Sequence, residues 1–263
     1  MRESGYSRKS VGVLVWLVLL CALRMGAQQP ATLFLHSTID ALLAGACEGD
    51  LSVAELKQKG DFAIGTYDRL DGEMIAVDGD WYQAKADGRL YPAGPEMTTP
   101  LAMTVHFQPE STAQIPRGMT LNELEQWLDG RIGNPNLFYA LRVEGSFAAV
   151  TVRAVERQKK PYRAMKEVVA GQSVHRLERV RGTLIALRSP AFSKGISVVG
   201  YHWHFVTAER KQGGHVLDLM LTEGMVQLQS IARVQLDLPR TEGFAHADQT
   251  QDRSAETRLV ERR

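Results

Sequence analysis

"FAIGTYDRLDGEMIAVDGDWYQAKADGRLY", residues 62–91, decides the fold class. Short apolar alternations are punctuated by Asp71-Gly72, Asp78-Gly79 and Asp87-Gly88. Asp-Gly accepts the positive φ that a tight hairpin demands, so each pair reads as a turn between antiparallel strands. A doubly wound parallel sheet would place a full helix after every strand, and this stretch has no room for one.

On the N-terminal side, "TLFLH" (Thr32–His36) reads as a strand, and "STIDALLAGA" as a helix capped by Ser37 or Thr38. In "SVAEL", Ser52 and Glu55 form an S-x-x-E capping box, and Gly60 stands where a left-handed stop is expected. Beyond the hairpins, residues 92–100 are loop, "LAMTVHFQ" is a strand, and "LNELEQWLDG" is a helix with a second box at Thr120 and Glu123. "NLFYALRVEG" and "SFAAVTVRAVER" read as two strands meeting near Gly145. "YRAMKEVVAG" is a short helix, the remainder to Leu238 is mostly strand, and the tail from Pro239 is polar with one helical pattern near its end. The expectation is an α+β (α/β-like) chain of mixed and antiparallel sheets with few helices. Strand, helix, then hairpins recur in both halves. That order suggests two lobes, about 30–150 and 151–263, with a cleft between them.

The N-terminus has a different character. Arg2, Arg8 and Lys9 precede the thirteen-residue apolar run Val11–Leu23, followed by Gly26 and Ala27, the layout of a cleaved secretory signal over residues 1–27. The run falls short of the roughly 20 residues that span a bilayer, so export without a lasting membrane anchor is expected, to a periplasm or beyond. Cleavage would remove Cys21 and leave Cys47 alone, which excludes an intramolecular disulfide. Residues 28–263 are long enough to be stabilised by a core alone. With 31 basic against 30 acidic residues and no basic stripe interleaved with aromatics, nucleic acid is not an expected partner. Neither Gly65-Thr66 nor Gly182-Thr183 opens a helix after a glycine-rich turn, so no phosphate cradle is present.

The chemistry concentrates in "GYHWHFVTAERKQGGH", residues 200–215, which holds three of the seven histidines. Side chains two apart on a strand share a face, so His202 and His204 project together while Trp203 and Phe205 point away. Gly213-Gly214 reads as the turn that brings His215 back beside them. Three imidazoles with a fourth position open is a usual set for a catalytic zinc, although two histidines on a strand are also ordinary hydrogen-bonded residues. Histidine ligation alone does not select zinc over Fe(II) or Mn²⁺ for oxygen chemistry. His36, His106, His175 and His246 lie singly and read as structural or surface residues. Trp81, Trp127, Tyr201 and Trp203 read as core or cleft frame.

Taken in order, "HSTIDALLAG", "GDFAIGTYDRLDGE", "NLFYALRVEG", "TVRAVERQKKPY" and "GYHWHF…GGHVLDL" resemble the alpha-acetolactate decarboxylases over nearly the whole chain after residue 32. That resemblance implies conversion of 2-acetolactate, a 2-hydroxy-3-keto acid, to acetoin and carbon dioxide. It also implies a two-lobed α/β or α+β fold, a homodimer, and one Zn²⁺ held by His202, His204 and His215. The family's acidic residue and its threonine fall on Glu73 and Thr66, its cleft arginine on Arg153, and its C-terminal glutamate on Glu261. By position alone these residues read otherwise. Glu73 beside an Asp-Gly turn would be a solvated carboxylate, Arg153 a surface pairing residue, Thr66 a favourable strand residue, and Glu261 part of a fraying end. A secreted, non-catalytic metal-binding protein on the same scaffold is the competing reading.

Overall fold

The computed structural model describes Met1 and residues 30–262, so the expected leader falls outside the described residues but for Met1. The first hairpins follow the Asp-Gly pattern. Strands β1 (Thr32–His36), β2 (Leu51–Ser52), β3 (Phe62–Thr66), β4 (Glu73–Val77), β5 (Asp80–Ala84), β6 (Leu90–Pro92), β7 (Thr98–Thr99) and β8 (Leu101–Val105) come first in the chain. Gly72, Gly79 and Gly88 all have φ near +80°, and Asp78 is also left-handed at +56°, so the β4–β5 turn uses both residues of its Asp-Gly pair.

Helix α1 (Ile39–Leu43) is capped by Thr38, whose hydroxyl accepts from Ala41 N. The box at Ser52 and Glu55 opens α2 (Val53–Leu56). Gly60 is not left-handed. Its place is fixed by contact: a Cβ there would stand 2.2 Å from Thr104 Oγ1 and 2.6 Å from the Val105 backbone, so only glycine lets this loop lie against β8.

Next come β9 (Ser111–Ile115), β10 (Met119–Thr120), α3 (Leu121–Asp129), β11 (Phe138–Ala154), α4 (Met165–Ala170), β12 (Ser173–Ser189), β13 (Gly200–Thr207), β14 (Gly213–Ile231), β15 (Arg233–Asp237), α5 (Glu242–Ala245) and α6 (Ser254–Arg262). The expected pair of strands around Gly145 is instead the single strand β11. Gly145 faces Gly182 of β12 and Gly224 of β14 across the sheet, and its Cβ would stand 2.7 Å from Glu223 O. The glycine marks close strand approach, not a turn. Residues 150 and 151, where the sequence suggested a change of lobe, both lie within β11.

Two large sheets result, mixed and antiparallel as expected. The first has the order β15-β1-β8-β3-β4-β5-β6, antiparallel except for the parallel β1–β15 pair. The second has the order β10-β14-β11-β12-β13, with β9 added on β14, and a further β13–β14 pairing closes β14, β11, β12 and β13 into a ring. The chain therefore passes from the first sheet to the second between β8 and β9 and returns to the first between β14 and β15. Ile64 and Ile75 of the first sheet share a core cluster with Ile185, Leu187 and Val206 of the second, so the sheets pack face to face. Each such fully buried aliphatic side chain stabilises the fold by about 1.5–3 kcal/mol. Helix α2 covers the other face of the first sheet, helix α3 that of the second, and α1, α4 and α6 form a third cluster with Leu70 and Val155.

Candidate metal centre

Strand pairing assembles the site. His204 of β13 sits opposite His215 of β14, and His215 in turn sits opposite Arg153 of β11, so three adjacent strands carry one polar row. His202, two residues before His204, extends the row along the same face. On the facing sheet, Thr66 and Glu73, seven apart in sequence, are direct cross-strand partners of the β3–β4 hairpin. Helix α6 brings Glu261 from the chain end. All seven residues singled out from the sequence meet here.

The three imidazole centroids lie 5.0–5.5 Å apart, and the rings offer one ligand atom each within 4.8 Å of one another. His202 Nε2 and His204 Nε2 are 3.2 Å apart. Two nitrogens bound at 2.0–2.1 Å to a tetrahedral centre stand about 3.3 Å apart, so the spacing fits a shared ion. Met74 O takes the Nδ1–H of His204 at 2.9 Å, which leaves Nε2 as a lone pair. Burial lowers the pKa of all three imidazoles from the ordinary value, those of His204 and His215 well below it, and keeps them in the neutral form that ligates. Glu261 Oε2 lies 3.6 Å from His202 Nε2 and 3.7 Å from His215 Nε2, buried and without a hydrogen-bond partner. A buried carboxyl oxygen left unsatisfied beside convergent ring nitrogens is what a bound cation would resolve. The three histidines could therefore hold a metal ion.

Glu73 and Arg153 are not surface residues. Only 7% and 6% exposed, they form an ion pair at 2.8 Å between Oε1 and Nη1, with Glu73 Oε2 3.7 Å from His204 Nε2. Burial pushes Glu73 up to about 7, a rise that Arg153 opposes and the Glu261 charge reinforces. Arg153 Nη2 donates to Val260 O at 3.3 Å, whereas its Nε–H is buried with no acceptor. Thr66 Oγ1 donates to Gly72 O at 2.8 Å, tying down the turn that presents Glu73. Glu261 is held by its backbone as well, its carbonyl lying 3.1 Å from His215 Nε2, so the chain end is docked at the site.

Thr66, Glu73, Arg153, His202 and Glu261 line a cavity of about 50 Å³ whose remaining wall is apolar, including Ile39 and Leu42 of α1, Leu70, Met165 and Val169 of α4, and Val260 of α6. The wall residues were not singled out from the sequence. Their signal was the apolar spacing of the two short helices, Ile39/Leu42 and Met165/Val169. Of the four single histidines, His36 is buried against Asp50 at 2.8 Å, and His175 reaches Ala86 O at 2.9 Å.

Fold and site together define a class: sheet-rich α+β chains with a three-histidine group, able to hold a metal, beside a buried carboxylate and guanidinium. Comparison with known proteins narrows it. The alpha-acetolactate decarboxylase family profile matches residues 33–251. The alpha-acetolactate decarboxylase of Methanosarcina mazei is 44% identical over 88% of this chain and 80% of its own length, and that of Bacillus subtilis 37% over 84% and 87%. The crystal structure of the Bacillus subtilis enzyme superposes with a TM-score of 0.86 at 35% identity, covering 88% of this chain and 99% of that one. The chain belongs to the alpha-acetolactate decarboxylase family, whose members are carboxy-lyases.

Proposed function

We propose that this protein decarboxylates (S)-2-acetolactate to (R)-acetoin and carbon dioxide with zinc held by His202, His204 and His215. The carrying observation is a group of three convergent neutral imidazoles beside a buried Arg153–Glu73 pair, with His202, Arg153 and Glu73 lining one cavity. Zinc bound there supplies a Lewis acid for the negative charge that develops on the substrate's ketone and hydroxyl oxygens.

The substrate carboxylate docks on Arg153, whose free Nε–H sits beside an Nη donor and so matches a carboxylate with two parallel hydrogen bonds. When the bond to the carboxylate breaks, its electron pair stays on carbon and delocalises into the adjacent ketone. Glu73 then delivers a proton to that carbon. With its pKa raised to about 7 it is protonated in a substantial fraction of molecules near neutrality, and it regains the proton from water after product leaves. Glu261 bounds the cavity beside His202 and His215, Thr66 fixes the Glu73 turn, and the apolar wall limits water. A single face of the carbon then meets the donor, which gives a chiral product.

The same reading takes residues 1–27 as a leader removed on export and the working unit as a homodimer. N-terminal sequencing and sedimentation equilibrium of the exported protein check these. The function itself is tested by adding racemic acetolactate with and without chelator and measuring acetoin and its handedness. Consumption no faster than spontaneous decay would refute it.

A further inference from the structure

Of the three imidazoles only His204 has a protein partner for its second ring nitrogen; His215 Nδ1 is buried without one, and His202 Nδ1 has none either but belongs to a ring that lines open space. Both named polar contacts of His202 run through Nε2, at 3.2 Å to His204 and 3.6 Å to Glu261, and among the described residues Nδ1 has no hydrogen-bond acceptor. Metal-ligating imidazoles almost always donate this second N–H, because the bond fixes tautomer and ring orientation. Something must take that proton.

His202 also lines a second, smaller chamber of about 10 Å³, which adjoins the substrate cavity along Ile39, Gly65 and Leu101. That volume is close to the space one water needs. Its polar lining includes Ser37 and Ser197. Ser37 is 1% exposed, and its Oγ has no hydrogen-bond partner. Ser197 Oγ donates to Ser193 Oγ at 2.9 Å and so retains acceptor capacity.

Ser37 is held in place from both sides. Its backbone is left-handed, φ +71°, an unfavourable choice for a residue with a Cβ. Ser37 N donates to Asp237 O at 2.9 Å, and Ile39 N to Ile196 O at 3.0 Å, which fix the strained residue against the turn that carries Ser197. A buried, unpaired hydroxyl on an over-determined strained residue points to a functional constraint.

We propose that Ser37 is a positioning residue for the metal centre: with Ser197 it holds one buried water that accepts the Nδ1–H of His202 and so orients that imidazole. The water accepts from Nδ1 and donates to the two serine hydroxyls, about the three bonds typical of a buried water. This rests on the three histidines being metal ligands, not on which reaction follows.

The test uses zinc alone and the full-length mature chain, in competition with a chromophoric chelator at fixed pH. Ser37→Gly removes the hydroxyl while suiting the left-handed backbone, so the metal-free melting temperature is expected to stay level or rise. Zinc affinity is expected to fall about 10–100-fold. In a His202→Ala background the same substitution is expected to change affinity by less than about twofold, since the coupled partner is gone. Native affinity in Ser37→Gly, or an equal loss without the His202 imidazole, overturns the proposal alone. Failure of the unsubstituted chain to bind zinc overturns the metal reading with it.

Discussion

Replacing Glu73 by glutamine is the sharpest single perturbation of the site. Glutamine keeps the shape and leaves a carbonyl oxygen to accept from Arg153 Nη1, a bond now 2.8 Å long, but it removes both the transferable proton and the charge. Loss of a positioned proton donor typically lowers a rate about 10²–10⁴-fold, which corresponds to roughly 3–5 kcal/mol in the barrier. Stability responds separately. Stripping one partner from a buried ion pair costs about 3–5 kcal/mol when the other charge is left uncompensated. Here the hydrogen bond survives and Glu261 bounds the same cavity, so a smaller loss is expected, about 1–2 kcal/mol. Three measurements separate the effects: acetoin formation under saturating acetolactate, zinc per chain, and the thermal midpoint. The expected result is a rate down by two orders of magnitude or more, zinc retained, and a modest drop in midpoint. Full turnover with zinc bound would refute the assignment of Glu73 as proton donor.

The Cys47 thiol, pushed up to about 12 mainly by burial, is expected to resist alkylation at pH 8 in folded protein and to react at once in denaturant; rapid labelling of the native chain would contradict its burial. Gly60→Ala is expected to destabilise by more than about 2 kcal/mol because its Cβ meets backbone, whereas Gly79→Ala, left-handed but open, costs about 1 kcal/mol; denaturant midpoints compare them directly. In protein stripped of metal, the three site imidazoles have lowered pKa values, so the unfolded chain binds more protons than the fold once pH drops below their ordinary 6.5. Glu73 acts oppositely, its contribution being lost as pH rises through about 7, but three groups outweigh one. The metal-free thermal midpoint is therefore expected to fall between pH 7.5 and 5.5, and a rise would contradict neutral buried imidazoles.

Local chemistry made the hairpins legible: Asp-Gly pairs and S/T-x-x-E boxes act within a few residues, so Asp78-Gly79 and Thr120–Glu123 could be placed from the chain alone. The histidine row was legible for the same reason, since alternation along β13 fixes His202 and His204 on one face. Burial was not. Glu73 and Arg153 lie eighty positions apart, and their pairing depends on how two sheets face each other. Family resemblance supplied them where position pointed to solvent. Glycine misled twice, at Gly60 and Gly145, because close backbone approach and turn formation select the same residue. Ser37 carried no sequence signal beyond that of a helix cap; its left-handed backbone and lone hydroxyl are products of the assembled fold.

X-ray absorption at the zinc edge of the loaded protein measures the coordination itself. Three imidazole nitrogens near 2.0–2.1 Å are expected, with His215→Ala reducing the count to two. A sulfur shell, or an unchanged imidazole count in the His215 variant, would contradict the three-histidine centre.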